Sequence, residues 1–116
     1  MPGIPVEMEI SYAHWAVLRL LTEQPNASQR ELSSRLGYSL GKTHYLLRAL
    51  VAKGWIKAQN FKNNNKVAYS YLLTPSGIAH KLLLTRSFLR SKEQEFQQLR
   101  LEIEAIRNEL ATEDKT

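Results

Sequence analysis

Apolar residues recur at helical spacing from residue 15 onward, which predicts a first amphipathic helix. Ser11 is predicted to be its N-cap, and Pro25 follows its end. Residues 1–10 hold two prolines and a glycine without a clear period, so we expect an arm of loop or extended structure there. The apolar stripe consists of Trp15, Val17, Leu18, Leu20 and Leu21.

Two further helices follow closely. Ser28 and Glu31 have the spacing of a capping box, and Gly37 is predicted to end this short helix in the left-handed conformation. Ser39 is predicted to cap a third helix over about 40–53, closed by Gly54. Its apolar side is expected to comprise Leu40, Thr43, Leu46, Leu47, Leu50 and Val51. A short helix, a tight turn and a longer helix are typical of a helix-turn-helix.

A β-hairpin is predicted after the third helix. Residues 55–61 and 67–73 favour strands, and the second has Val67, Tyr69, Tyr71 and Leu73 on one face. The turn between them, 62–66, is polar and basic. We therefore predict a mainly α fold with a small β-hairpin, a winged helix-turn-helix domain.

The rest of the chain predicts one long helix that begins at Pro75, because proline suits the first helical position. Its apolar residues alternate at spacings of three and four, which is the pattern of a coiled-coil seam. The seam residues are Leu89, Phe96, Leu99, Ile103, Ile106 and Leu110. The predicted organisation is an arm (1–10), the winged domain (11–75), a dimerisation helix (76–112) and a frayed tail (113–116).

Charges beside this seam favour a parallel pair of helices. In a parallel homodimer Glu95 lies near Arg100 of the second copy, and Glu102 lies near its Arg107. An antiparallel pair would place like charges together. Packing of the stripe against its own domain is the other interpretation.

Charge is distributed unevenly along the 116 residues. The net charge is +5, and residues 28–66 alone hold eight Lys or Arg and one acid. A local basic stretch is typical of a surface that binds a polyanion. No apolar run approaches the ~20 residues of a membrane helix. The absence of cysteine is compatible with the cytoplasm, where we expect this protein.

Catalysis is not indicated. The only aspartate is Asp114, and the three histidines lack metal-ligand spacing, so we expect no enzyme, no catalytic residue, no metal and no cofactor. The run from Gly41 to Thr43 ends like a P-loop, but only three residues separate Gly37 from Gly41 where that motif has four.

The outer face of the third helix is the first candidate site for DNA. N-terminal residues of a recognition helix contact base edges in the major groove, and basic, imidazole and phenol groups bind bases or phosphates. The alternative is a solvated helix face, and the serine can act as cap alone. The candidates are Ser39, Lys42, His44, Tyr45 and Arg48.

The hairpin tip and the short helix supply further candidates. Lysines at a wing tip can follow the phosphate backbone, whereas the asparagines serve turn formation or readout equally well. Arg30 and Arg35 of the short helix either contact the DNA phosphate backbone and so position the protein, or are simply exposed to solvent. The wing candidates are Lys62, Asn63, Asn64, Asn65 and Lys66.

Three segments resemble a bacterial regulator family. They are Ser-Gln-Arg-Glu-Leu-Ser-Ser-Arg-Leu-Gly at 28–37, Ser-Leu-Gly-Lys-Thr-His-Tyr-Leu-Leu-Arg-Ala-Leu at 39–50, and Leu-Thr-x-x-Gly at 73–77. Together they resemble MarR-type winged helix-turn-helix regulators, most of all the small ones associated with exopolysaccharide genes. The resemblance covers about 11–110 and implies a homodimer on double-stranded DNA. It often implies a small aromatic effector as well, which the short N-terminal arm puts in question here.

We therefore expect a homodimeric, sequence-specific DNA-binding transcription regulator. The alternative is a protein-interaction module in which the long helix docks a partner, because winged helices serve both purposes. RNA binding ranks third, since no aromatic stacking platform is evident.

Overall fold

The computed structural model describes residues 6–63 and 66–114, with the side chains of 10–59 and 70–114. In chain order the elements are α1 (Val6–Glu23), α2 (Gln29–Leu36), α3 (Leu40–Ala52), β1 (Ile56–Asn63), β2 (Lys66–Leu73) and α4 (Pro75–Asp114). Three helices, a hairpin and a long final helix form the winged helix-turn-helix arrangement that the sequence predicts.

Helix α1 begins earlier than its sequence suggests. Residues 6–10 are helical, so the prediction of an extended arm is wrong there, and Ser11 lies inside the helix instead of capping it. Ile10 stands four residues before the buried His14 and so lies on the same side of the helix, although Ile10 itself is 49% exposed. Residues 1–5 lie outside the described part of the chain.

The caps of α2 and α3 are as predicted. The Ser28 hydroxyl accepts a hydrogen bond from the Glu31 amide at 3.2 Å, and Ser39 does the same for Lys42 at 3.1 Å. Gly37 ends α2 with φ 72°, a conformation that glycine adopts without steric cost. These caps satisfy backbone donors locally and fix the turn between α2 and α3.

The core lies where α1, α2, α3 and the start of β1 meet. Ten apolar residues are almost fully buried there, and partly buried Tyr71, Leu73 and Leu84 pack against them from the hairpin and from α4. The buried set is Ala13, Val17, Leu18, Leu21, Ala27, Leu32, Leu46, Leu47, Leu50 and Ile56.

Two residues predicted on the apolar side of α3 are instead exposed. Leu40 is 45% and Val51 is 42% exposed, while Leu46, Leu47 and Leu50 are buried. At 3.6 residues per turn, the buried residues occupy one side of the helix, and Leu40 and Val51 lie at the edges of that stripe. Both therefore add apolar surface to the solvent-facing side of α3.

The hairpin is a two-stranded antiparallel sheet. Ile56 pairs with Leu73 at its base and Asn63 pairs with Lys66 at its far end. The base is held to the helices by buried Ile56 and by a hydrogen bond of 3.1 Å from the Gln29 amide to the Tyr71 hydroxyl.

Helix α4 begins in tight contact with the end of α3. The Thr74 hydroxyl donates to the Gly54 carbonyl and accepts from the Gly77 amide at 3.1 Å. Gly77 is buried, and a Cβ there would overlap the backbone carbonyl of Trp55. Glycine is thus required where the first turn of α4 crosses the chain entering β1.

The chain divides into two units, Met1–Leu84 and Thr85–Thr116. Helix α4 contributes to both: its first ten residues belong to the unit that holds the winged domain. The predicted boundary at 75/76 follows the end of the hairpin and so falls nine residues earlier.

Candidate nucleic-acid interface

Helix α3 is fixed by its buried side. Leu46, Leu47, Leu50 and Thr43 are all 4% exposed or less. The Thr43 hydroxyl donates to the Ser39 carbonyl and lies 2.9 Å from the Ser33 hydroxyl of α2. The orientation of α3, and with it the set of residues that face solvent, is therefore defined by packing and by one buried polar contact.

The outward face of α3 carries most of the predicted contacts. His44 and Arg48 are exposed, and Tyr45 is 72% exposed, the largest exposure of any large apolar or aromatic side chain described. Gly41 completes this face and Leu40 lies at its edge; neither was predicted from the sequence as a DNA contact. Hydroxyl, imidazole, guanidinium and apolar groups side by side are the kinds that base edges and phosphates accept.

Lys42 occupies a different side of the helix. Its Nζ lies 4.0 Å above the centre of the Tyr38 ring, in a cation–π contact. Burial, and secondarily the nearby Tyr12, raises the pKa of the Tyr38 hydroxyl. Lys42 remains exposed, and its reach to a base or phosphate stays a prediction.

Ser39 has a structural task already. Its hydroxyl caps α3, as its alternative interpretation from the sequence allows. Any contact of Ser39 with DNA stays a prediction.

Arg30 and Arg35 are both exposed on α2. Five residues separate them, which is about 140° around the helix at 3.6 residues per turn. They therefore do not share one face, and one strand of DNA beside α2 would not contact both in the same way.

The wing is described through its backbone. Lys62, Asn63 and Lys66 lie at the far end of the hairpin, where Lys62 pairs with Val67. Asn64 and Asn65 lie outside the described residues. Lys57, on β1, is exposed and adds a cation that the sequence analysis did not select.

A cavity of ≈ 360 Å³ opens between α1 and α3. Ile10, Ala13 and His14 line it from α1, Lys42 and Tyr45 are among the residues that line it from α3, and Lys53 lines it just after the end of α3. His14 is 7% exposed, and burial, with a further contribution from the charge of Lys53, lowers its pKa.

Trp55 lies beside this region and is half-buried. The His80 ring stacks on it at 4.2 Å between centroids, and His14 meets it edge-on at 6.0 Å. Lys53 Nζ lies 5.3 Å from the Trp55 ring. No sequence pattern indicated this cluster, because its members are far apart along the chain.

The second unit presents the predicted seam. Leu89, Phe96, Leu99, Ile103, Ile106 and Leu110 are each between 41% and 62% exposed. Beside the seam, Lys92 Nζ and Glu95 Oε2 form an exposed ion pair at 3.2 Å within α4.

Neither a metal site nor a membrane span is found in the described part of the chain. No three His, Cys, Asp or Glu side chains come together there as metal ligands would. None of the helices described is both long and apolar enough to cross a bilayer.

Comparison with known proteins identifies the fold. Residues 10–57 match the family model of winged helix-turn-helix DNA-binding domains. No curated protein matches the chain. Matching solved structures include the Staphylococcus aureus MarR protein in complex with salicylate and kanamycin, with a TM-score of 0.58, 18% identity and 75% of this chain covered.

Two other structures extend this likeness. A MarR protein from Peptoclostridium difficile has a TM-score of 0.65 and 21% identity over 78% of this chain. A single-residue mutant of S. aureus MepR bound to an oligodeoxyribonucleotide has a TM-score of 0.58 and 20% identity, with 84% of this chain and 77% of that chain covered. This chain spans 57% of the S. aureus MarR chain and 59% of the P. difficile chain. At these identities the likeness establishes a shared fold.

Proposed function

We propose that this chain is a MarR-type transcription regulator that binds double-stranded DNA in a sequence-specific manner as a homodimer. The observation that carries the proposal is the geometry of α3. One side of the helix is locked into the core through Thr43, Leu47 and Leu50, and the opposite side presents His44, Tyr45 and Arg48 to solvent. That the related fold of MepR is bound to an oligodeoxyribonucleotide supports this use of the domain.

The exposed groups suggest a division of tasks. His44 and Arg48 donate hydrogen bonds to base edges, and Tyr45 contacts a phosphate or a thymine methyl. Lys62 and Lys66 at the end of the wing neutralise phosphates, as does one arginine of α2. Phosphate neutralisation makes affinity depend steeply on salt, whereas base contacts set the sequence preference.

A second copy of the chain is the partner that suits the apolar seam of α4. Its six large apolar side chains are exposed, and such a face is stable in water when another helix covers it. Parallel pairing places Glu95 and Glu102 near Arg100 and Arg107 of the second copy. Glu109 would then face Asp114, so the pairing ends before that residue. Two copies would read half-sites about 34 Å apart.

The proposed gene target rests on the short length and on the resemblance at 39–50 to the small regulators associated with exopolysaccharide genes. We place the regulator in the cytoplasm, acting without catalysis on genes of exopolysaccharide production. Footprinting of the protein on promoters of exopolysaccharide genes and on other promoters tests whether these genes are its targets.

Fluorescence anisotropy across a salt series tests the proposal. One duplex carries the region upstream of the protein's own gene, and a second has the same composition in scrambled order. We expect tight binding to the first that persists at salt concentrations where the second is lost. Equal, weak binding of both duplexes that disappears as salt is raised would mean that the basic surface binds polyanions without sequence preference.

The exposed seam also suits the alternative function, docking of a different protein. The same anisotropy series separates the two: flat, salt-insensitive affinity for DNA favours the docking module. The basic residues of 28–66, eight against one acid, favour DNA.

We further propose that the cavity between α1 and α3 holds a small effector. Its volume is within the ~300–1,000 Å³ range of ligand pockets, and two lysines stand beside an apolar lining. Salicylate, which the S. aureus MarR structure contains, is the probe of choice. Because α3 forms one wall, an occupant there would alter DNA affinity; a salicylate titration that leaves the anisotropy of the bound duplex unchanged argues against this site.

A further inference from the structure

Gly41 is the one glycine among those described for which the fold gives no reason. Gly37 and Gly54 have φ of 72° and 75°, where a side chain would be strained. Gly77 is held against the Trp55 carbonyl. Gly41, in contrast, lies in the first turn of α3 with no positive φ, and a Cβ placed on it would have no atom within 4 Å.

Glycine at such a position weakens the helix. It loses more conformational freedom on folding than alanine does and adds no contact in return. Neither backbone conformation nor packing against the described residues accounts for a glycine here, whereas close approach of another molecule to Gly41 would.

The surroundings of Gly41 indicate what approaches. Tyr45 follows one helical turn later on the same side, and Leu40 and His44 flank it. Leu40, which is 45% exposed, adds apolar surface beside it. Gly41 thus lies within the outward face proposed to read DNA.

We infer that Gly41 is a close-approach position, at which the missing side chain lets the backbone of the first turn of α3 lie directly against DNA in the major groove. This inference rests on the proposed DNA-binding function. A Cβ at residue 41 would hold α3 away from the groove and so lengthen the hydrogen bonds of His44 and Arg48 to the bases.

The test compares Gly41→Ala and Gly41→Leu with the parent on the upstream duplex. Alanine and leucine are both good helix formers, so both variants should unfold at a higher denaturant concentration than the parent. Their DNA affinity should fall. The expected loss is roughly tenfold for alanine, which is comparable to the loss caused by one mismatched base pair, and it should be larger for leucine. The salt dependence should not change, because no charge is altered.

Asn108→Ala is the matched control, since it also raises helix propensity, at an exposed position of α4 away from the seam. It should gain stability and keep the parent affinity. Gly41 variants that bind as tightly as the parent overturn the close-approach role and leave the DNA-binding function intact. A parent protein that binds neither the upstream nor the scrambled duplex overturns both.

Discussion

The hydroxyl of Ser33 lies 2.9 Å from that of Thr43, buried between the two helices of the helix-turn-helix. The Thr43 hydroxyl in turn donates a hydrogen bond of 2.9 Å to the Ser39 carbonyl. One polar contact therefore ties α2 to α3 at the point where the latter begins. A hydrogen bond depends on the distance and angle between its two groups, whereas apolar contacts are not directional. The Ser33–Thr43 contact therefore fixes the angle at which α3 presents its outward face.

Thr43→Val should lower the free energy of unfolding by about 1 kcal/mol or more, because it removes the buried bond to Ser33 and the bond to the Ser39 carbonyl at nearly constant volume. Urea denaturation measures this directly. Thr112→Val, which removes an exposed hydroxyl that bonds the Asn108 carbonyl, is the control and should change stability by under about 0.5 kcal/mol. Equal losses in the two variants would show that the Ser33–Thr43 contact has no special weight.

Gly77→Ala should destabilise the protein severely. Alanine ordinarily favours a helix over glycine, but here its Cβ meets the Trp55 carbonyl, and a backbone group cannot rotate away as a side chain can. We expect a loss of about 3 kcal/mol, at the upper end of overpacking costs. Gly41→Ala, the same change at an open position, should instead stabilise; a Gly77→Ala protein as stable as the parent would refute the close crossing.

Features that depend on residues close together in the chain could be predicted from the sequence, whereas contacts between distant residues could not. Ser28, Ser39 and Gly37 were predictable because a cap depends on residues three or four positions away. The contact between Gly77 and Trp55 joins residues 22 positions apart, and no local pattern encodes it. The exposure of Leu40 escaped prediction for a related reason: periodicity identifies an apolar stripe but not its edges.

The candidate site divides in the same way. The location of α3 and the exposure of His44, Tyr45 and Arg48 follow from its periodicity. That His14 is buried depends on how α1 packs against the helix-turn-helix, which is a tertiary property. The contact of Lys42 with Tyr38, four positions earlier, is local, but the periodicity of α3 does not indicate it.

Acidic pH should lower the free energy of unfolding, because His14 is buried in the folded protein. Burial lowers its pKa from 6.5, so between the folded pKa and 6.5 the unfolded chain binds more protons than the folded one. Stability is therefore greatest above 6.5 and declines as pH falls toward the folded pKa. We expect urea midpoints to be constant well above pH 6.5 and to fall as the pH drops below it. His14→Gln should flatten that decline, whereas His44→Gln, at an exposed position, should preserve it; identical profiles for both variants would exclude His14.

The seam predicts that Ile103→Glu yields a monomer, since the charge would enter the interface between two copies. Leu101→Glu is a matched control, because Leu101 is as exposed as the seam residues, at 60%, but lies outside the seam. Sedimentation velocity should show a dimer for the parent and for Leu101→Glu only. If Ile103→Glu also stays dimeric, the copies associate elsewhere.

Orientation of the two helices can be read from a single cysteine, because the chain contains none of its own. In a parallel dimer Leu99→Cys places two thiols opposite each other, so mild oxidation should give a covalent dimer on a non-reducing gel. Leu101→Cys should not. A dimer that Leu99→Cys fails to cross-link would be antiparallel or out of register.

Wing lysines and α3 should affect binding differently. Lys62→Ala and Lys66→Ala each remove a proposed phosphate contact, so both should weaken the upstream and the scrambled duplex similarly and reduce the salt slope by about one. Lys92→Ala, which changes an exposed lysine of α4, should leave the slope as it is. An unchanged slope in the two wing variants would remove the wing from the interface.

The most direct test of the account is the ratio of affinities for the upstream and scrambled duplexes, measured by anisotropy for the parent, Arg48→Ala and Arg86→Ala. Both substitutions remove one exposed arginine, from the outward face of α3 and from α4 respectively. We predict a high ratio for the parent and Arg86→Ala, and a ratio lowered roughly tenfold or more for Arg48→Ala, as the loss of one base contact requires. A ratio near one in the parent, or the same ratio in all three proteins, would contradict sequence reading by α3.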